Sequence, residues 1–396
     1  MLTSRIHRYI IKEISVPALL SLLIFTCVLL MGKIPRIAEL IINKGVPAAQ
    51  ILQLFSYLLP TFLTITIPLS FLLGILLAFG RLSADSEFIA LKASGVSLYN
   101  LVKPVFVLAI FFCLLTAWIT ISIEPASKAA FRAKLFKIAA SSASVSIKPR
   151  VFNDKFEGIV LHIREMDENR KIMQNVFISD ERERKTPATI IAQQGRFISR
   201  PDQYRLTLRL TDGTIHRHSK QGENSTYQII RFSNYDINLD LGTQLGSRHK
   251  HRQKAGELSW KELNGAIVKA SSDKTRHNLQ AEKYERVVIA FAPIVLLLVG
   301  IPLGLQSNRS GKGSGFALAL VIFLVYYVLL NLANTIAEKG VLPAAVILWL
   351  PNLCFLLGGF WSLHSTAMEK PLRLVQFSRW LIRQLKSRTD KTGENL

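Results

Sequence analysis

Apolar residues in this chain gather in six long runs from which Lys, Arg, Asp and Glu are absent. The runs cover residues 14–32, 51–79, 104–123, 287–305, 316–337 and 341–361. Because about 20 apolar residues are enough to cross a bilayer core, each run predicts a membrane-spanning helix. No small-residue cleavage pattern follows Gly32, so we interpret the first run as a retained span and not as a signal peptide.

The segment between the third and fourth runs is polar and contains no run long enough to cross a membrane. Short stretches separated by turn residues predict strands at residues 158–165, 175–179, 188–199, 204–211, 214–218 and 227–241. Asp212-Gly213 predicts a hairpin turn between two of them. Strands at this spacing favour a sandwich or an open barrel. The predicted fold class is therefore a six-span α-helical membrane protein with an inserted all-β domain.

Helices are predicted to carry the chain back from this β domain to the fourth span. Ser259 and Glu262 have the spacing of a capping box, in which each side chain satisfies a backbone N–H at the start of a helix. From Asp273 the pattern predicts a helix that continues into the span. The β domain is thus expected to be attached to the membrane helices by helical connections.

Charge predicts the orientation of the chain in the membrane. The formal net charge is +22 although 49% of the residues are hydrophobic, and basic residues gather before the first span and in the stretch 370–391. Six spans put both ends on one side, and the positive-inside rule makes that side the cytoplasm. We predict four parts: an N-terminal half with three spans, an outer β domain, a C-terminal half with three spans and a basic cytoplasmic tail, at residues 1–123, 124–285, 286–363 and 364–396.

The segment Gly80–Gly95 predicts a short, capped, charged helix, at about residues 81–95, between two apolar runs. Ser83 is a candidate N-cap, Asp85 and Glu87 lie where the helix dipole favours acidic residues, and Gly95 suits the position after the helix end. A free linker would not need these signals. We therefore expect a docking surface on which an external motor could act.

Motifs for chemistry within the chain are missing from the sequence. Asn308–Ser314 contains a Gly-Lys pair but lacks the glycine spacing and the Ser or Thr of a nucleotide-binding loop, and neither a serine hydrolase motif nor paired metal-ligand spacing occurs. The apolar runs hold no charge that would mark an ion path. We expect no enzyme, no cofactor and no metal, with energy supplied from outside the chain.

Two basic groups of residues are candidates for binding anions. Lys33 and Arg36 lie one turn apart at the outer end of the first span, where they could hold phosphates or could anchor the span at the interface. Residues 124–283 contain 29 Lys and Arg against 18 Asp and Glu, a net charge of +11. Anionic lipid or glycolipid is favoured over nucleic acid as a partner, although scattered surface charge could equally serve solubility.

The chain resembles the permease family of the lipopolysaccharide-export ABC transporter, LptF/LptG, over essentially its whole length. The resemblance is carried by Ile67-Pro-Leu-Ser-Phe-Leu-Leu-Gly74, by the stretch Gly80–Ser97 and by the order of three spans, β domain and three spans. It implies a jellyroll-like periplasmic β domain and a location in the bacterial inner membrane. The appearance of the first span, with Lys33 and Arg36, leans towards the F type.

The resemblance also implies partners and roles for individual residues. The Gly80–Gly95 segment would be the coupling helix that docks on a cytoplasmic ATPase dimer, with Glu87 as the contact. Lys33 and Arg36 would hold the phosphates of lipopolysaccharide, assisted by Arg132 and Lys134. A homologous sister permease, periplasmic jellyroll bridge proteins and a single-span accessory subunit would complete the assembly. Two alternatives remain open: a membrane-anchored scaffold whose basic β domain binds envelope polymers, and a force-transmitting ABC permease that moves no lipid.

Overall fold

Six long apolar helices and one antiparallel sheet make up the protein. The computed structural model describes residues 2–35, 47–145, 149–156, 158–167, 172–182, 187–200, 205–221, 224–239, 254–306 and 314–368. Within these ranges six helices are long and apolar enough to cross a membrane, and a six-stranded sheet lies between the third and the fourth. The predicted fold class is confirmed.

The helices are named here in chain order. They are α1 Leu2–Met31, α2 Ala48–Ala84, α3 Glu87–Ala93, α4 Leu98–Trp118, α5 Glu124–Val145, α6 Trp260–Val268, α7 Asp273–Gln306, α8 Ser314–Glu338, α9 Ala344–Ile347 and α10 Trp349–Ala367. A π-helical turn, Ile119–Ile123, joins α4 to α5. The chain divides into two compact units, a membrane unit with most of the helices and a β unit formed mainly by Ala129–Lys254.

Helix α2 lies at the centre of the membrane unit. In its most apolar stretch 83% of the residues are buried, against 22% in α1. One of its sides, with Leu72 and Leu76, belongs to a core shared with α7 and α8, while Phe71 and Ile75 belong to a second core shared with α1 and α4. The bundle is therefore organised around a helix that is apolar on both sides.

Glycines allow α2 to approach its neighbours closely. A Cβ added at Gly74 would lie 2.8 Å from both Ala18 Cβ and the Ile14 carbonyl oxygen of α1. On α7, Gly300 and Gly304 are four residues apart and face α2, and a Cβ at Gly304 would lie 2.9 Å from Phe79 Cβ. This small-residue packing is typical of membrane helices, where burial away from water does not drive association.

The β unit is one sheet in which every strand pairs with its neighbours in sequence. Its strands are β1 Phe152–Phe156, β2 Ile159–Asp167, β3 Ile172–Asp180, β4 Ala188–Arg200, β5 Arg205–Gln221 and β6 Asn224–Leu239, all antiparallel. Alternate residues such as Ile163, Ile178 and Leu208 form its core, which Phe136 of α5 joins. The described strands therefore form one continuously hydrogen-bonded antiparallel sheet.

One turn prediction was wrong, and one strand was missed. Asp212-Gly213 does not form a hairpin, because β5 runs through it and keeps its register with β4 and β6 on both sides. Asp212 has a left-handed φ of 51°, and a Cβ on Gly213 would collide with the Ile191 carbonyl oxygen. The glycine thus serves a close approach of β4 and β5. The short strand β1 has no strong sequence pattern and was not predicted.

The return from the β unit follows the prediction. Ser259 and Glu262 form the capping box at the start of α6, and α7 begins at Asp273. Arg286 of α7 is 4% exposed; it donates to Glu282 at 2.9 Å and to the carbonyl oxygens of Leu258 and Ala255. The apolar run that begins at residue 287 is charge-free as expected, but a buried cation lies directly before it.

Replacing Gly74 tests the close contact between α1 and α2. Gly74→Ala is expected to destabilise the protein by roughly 1–3 kcal/mol, because the new methyl group has no space against Ala18. Gly358→Ala is the matched control, since a Cβ there meets nothing within 4 Å. The midpoint of thermal unfolding in detergent measures both. Equal midpoints for the two variants would contradict the packing described.

Replacing Arg286 tests the buried network. Arg286→Met is expected to cost roughly 3 kcal/mol, because Glu282 and two carbonyl oxygens lose their donor. Arg209→Met, which breaks the more exposed Arg209–Asp236 pair, should cost well under half as much. The midpoint of thermal unfolding of the full chain measures both variants. A smaller decrease of the midpoint for Arg286→Met than for Arg209→Met would contradict the role of the buried network.

Candidate functional site

The segment predicted as a docking helix contains the end of α2 and the separate short helix α3. Helix α2 continues to Ala84, past the predicted cap at Ser83. The Ser83 hydroxyl donates to the carbonyl oxygen of Leu305 at 2.7 Å, so it joins α2 to α7 and caps no helix. Ser86 takes the N-cap position of α3, with a left-handed φ of 58° and without a side-chain bond to the helix. The predicted cap was therefore wrong, because a tertiary contact uses that hydroxyl.

The other end of α3 has the predicted glycine signal. Gly95 has φ +83°, which a residue with a Cβ adopts only with strain. The Gly95 N–H donates to the Lys92 carbonyl oxygen at 2.9 Å, and the Val96 N–H donates to that of Leu91 at 3.0 Å. These are the two bonds of a Schellman motif. They end α3 sharply and turn the chain into α4.

Charged residues around α3 form a set of exposed pairs with α1. The Tyr9 hydroxyl donates to Glu87 Oε2 at 2.8 Å. Arg81 Nη1 donates to Glu13 Oε1 at 2.7 Å, and Arg81 Nε lies 3.4 Å from Asp85 Oδ2. Glu87 is the first residue of α3, where the helix dipole favours an acidic side chain. The structure thus brings Asp85 and Glu87 together with two residues of α1 that the sequence did not indicate.

Helix α3 has one face on the bundle and one face open. Phe88 and Leu91 pack partly buried against the core formed by α1, α2 and α4. Ile89 is 66% exposed, and Ala90 and Ala93 beside it are exposed as well. An exposed isoleucine between small residues, next to an acidic group, can receive a partner that is both apolar and basic. Sequence reasoning missed Ile89 because α3 is too short to show periodicity.

The residues predicted to bind lipid fall in different parts of the molecule. Lys33 is exposed in the turn directly after α1. Arg36 lies outside the described residues. Arg132 and Lys134 are half-buried residues of α5, in the β unit. Lys33 belongs to the membrane unit, whereas Arg132 and Lys134 belong to the β unit.

The basic charge of the β unit is partly paired within the sheet. Arg209 forms a two-bond ion pair with Asp236, both at 2.7 Å, beside an open groove of about 550 Å³ that Arg196 and Asn234 also line. Arg182 donates to Asp180 at 2.6 Å and holds the pKa of that carboxyl below its usual value.

Among the described residues no group of three or more His, Cys, Asp or Glu could hold a metal ion.

Comparison with known proteins adds to this geometry. Residues 8–365 match the family described as lipopolysaccharide export system permease LptF/LptG. The chain is 24% identical over 378 residues to the lipopolysaccharide export system permease protein LptF of Escherichia coli (strain K12), covering 94% of this chain and 98% of that protein. It is also 24% identical over 342 residues to an uncharacterized protein of Rickettsia prowazekii, covering 83% and 91%.

The family match extends over both sets of membrane helices and the β unit, and it includes α3 and the turn that carries Lys33. The order of elements in the structure is the one on which the resemblance rested. The chain therefore belongs to the LptF/LptG family of lipopolysaccharide export permeases and is a multi-pass protein of the inner membrane.

Proposed function

We propose that this chain is the F-type transmembrane subunit of an ABC transporter that extracts lipopolysaccharide from the inner membrane. It pairs with a homologous sister permease, and a separate cytoplasmic ATPase dimer supplies the energy. The observation that carries this proposal is the geometry of α3, a short helix fixed between two membrane helices that presents Glu87 and the exposed Ile89. The name of the Escherichia coli relative supports the F type.

Orientation follows from charge. Arg5, Arg8 and Lys12 lie in the first turns of α1, at the end that contacts α3. The positive-inside rule favours the cytoplasm for that end, which puts α3 within reach of a cytoplasmic ATPase. The basic stretch 370–391, which lies outside the described residues, adds charge of the same sign. The β unit is then periplasmic, where it can pass lipid to bridge proteins of its own kind and contact a single-span accessory subunit.

The lipid side of the proposal rests on Lys33 and on the apolar surface of α1. Leu19, Leu23 and Val28 are exposed on α1, and this surface suits acyl chains or the sister permease. Lys33 follows the same helix, where its ammonium group can meet a phosphate at the level of the head groups. Arg36 is proposed as the second cation of the clamp, with Arg132 and Lys134 as further contacts. Closure of the cavity between the two permeases then drives the lipid outward.

Replacing Glu87 tests the coupling role. Glu87→Ala is expected to reduce, by about tenfold, either the amount of ATPase that co-purifies with the permease or the stimulation of ATP hydrolysis by lipid. This is the size of effect expected when one charge-assisted hydrogen bond is lost. Glu87→Gln keeps an acceptor for the Tyr9 hydroxyl, so its recovery and coupling should lie between those of the wild type and those of Glu87→Ala. Asp273→Ala removes a first-turn acid from α7 and serves as the control. Normal recovery and normal coupling in Glu87→Ala would refute the role.

Replacing the cations tests the clamp. Lys33→Ala with Arg36→Ala is expected to lower photo-crosslinking of lipopolysaccharide to the purified complex by about tenfold. Lys12→Ala removes an exposed cation from the opposite end of α1 and should leave crosslinking unchanged. Co-purification of an ATPase without any retained glycolipid would favour the force-transmitting alternative, while a chain that purifies without an ATPase would favour the scaffold.

A further inference from the structure

Helix α1 contacts α2 and α3 from its first turns to beyond its middle. At the N-terminal end the contacts are the pairs Tyr9–Glu87 and Glu13–Arg81. Further along, Ala18 packs on Gly74, the Ser21 hydroxyl lies 3.4 Å from the Ser70 carbonyl oxygen, and the Thr26 and Thr66 hydroxyl oxygens are 3.1 Å apart. Leu19, Leu20 and Leu23 of the same helix are exposed. These contacts make α1 and α2 a single packed pair.

Helix α3 has little to hold its N-terminal end by itself. It has seven residues, none of them buried, and its N-cap residue makes no side-chain bond to it. Helices this short are unstable in isolation, so tertiary contacts must fix their position. At the C-terminal end the Schellman bonds and the contact of Leu91 with the bundle do so. At the N-terminal end, Phe88 packs on the same core and the Tyr9 hydroxyl holds the Glu87 carboxylate.

We propose that Tyr9 and Glu13 are positioning residues. They hold the Gly80–Gly95 segment, here called the coupling segment, against α1, so that a displacement of α3 moves α1. Tyr9 orients Glu87, and Glu13 fixes Arg81 and through it Asp85. This inference rests on the proposed function, in which α3 receives the ATPase. It assigns a role to the first turns of α1 that neither the comparisons nor the sequence pattern indicates.

The consequence concerns the far end of the same helix. Helix α1 has 30 residues, a length of about 45 Å, and Lys33 follows directly after its last turn. Pro17 removes one backbone hydrogen bond within α1, so the two parts of the helix are held together by the packing of Ala18, Ser21 and Thr26 on α2. Motion of α3 therefore reaches the turn that carries Lys33 without passing through the β unit.

The test uses the complete complex in proteoliposomes loaded with lipopolysaccharide, and it measures lipid released per ATP hydrolysed. Tyr9→Phe removes only the hydroxyl that reaches Glu87 and is expected to lower this ratio about threefold, as suits one exposed hydrogen bond to a charged group. Glu13→Gln should also lower the amount of lipid released per ATP. Tyr99→Phe is the matched control, because it removes a hydroxyl that lies near His364 instead.

A double-mutant cycle separates positioning from general destabilisation. In the Glu87→Ala background, Tyr9→Phe should have no further effect on lipid released per ATP, because the group that it orients is gone. If the two substitutions lowered lipid release per ATP additively, the positioning role would be overturned. The same holds if Tyr9→Phe released as much lipid per ATP as the wild type while Glu87→Ala released less. Either result would leave the proposed function intact. A wild-type ratio for Glu87→Ala itself would overturn the coupling role of α3 and the positioning with it.

A covalent lock replaces the Glu13–Arg81 ion pair by a bond that cannot open. Cysteines at Glu13→Cys and Arg81→Cys, joined by a short bismaleimide, keep α1 beside the coupling segment while Glu87 stays intact. The locked complex should release as much lipid per ATP as the same variant before crosslinking, because the contact is meant to persist through the cycle. Loss of release on crosslinking would show that the two segments must separate, and would overturn the proposal.

Discussion

The close approach of helix backbones around α2 is the constraint on which the membrane unit depends. Between helices in a bilayer, lipid competes equally well for apolar side chains, so contact area and hydrogen bonds must hold the bundle. Gly74 brings α1 against α2, while Gly300 and Gly304 bring α7 against its other side. If either approach were lost, the cores shared by these helices would open together, because α2 contributes to both.

This constraint explains why the second apolar run is both polar and glycine-containing. Thr66 and Ser70 are completely buried, and they contact Thr26 and Ser21 of α1. Short polar side chains allow helices to come close and still give each hydroxyl a partner. The sequence pattern predicted only that this run spans the membrane. It could not tell which neighbour each hydroxyl would meet, since those partners lie 40 to 49 residues away.

The fold was predictable where a whole segment is apolar. It was less predictable where a residue that suits a local role, such as a helix cap or a turn, serves a tertiary contact instead. Six charge-free runs predicted six helices because a bilayer leaves few alternatives. Ser83 is a good N-cap by type, but α7 takes its hydroxyl. Asp212-Gly213 is a good turn by type, but close packing of β4 requires the glycine within a strand. In the candidate site, Glu87 and Gly95 were found from local signals, whereas Tyr9 is 78 residues away from its partner and carries none.

The two ends of the membrane unit use charge in opposite ways. At the end with α3, Arg81 is exposed, so solvent screens its pairs with Glu13 and Asp85 and each pair contributes little to stability. Such pairs orient a segment without burying charge. In the first half of α7, Arg286 is buried and donates to Glu282 and to the carbonyl oxygens of Ala255 and Leu258, and breaking such a network leaves uncompensated groups. Loss of a pair beside α3 therefore leaves groups that water can hydrate, whereas loss of Arg286 would leave buried acceptors without a donor.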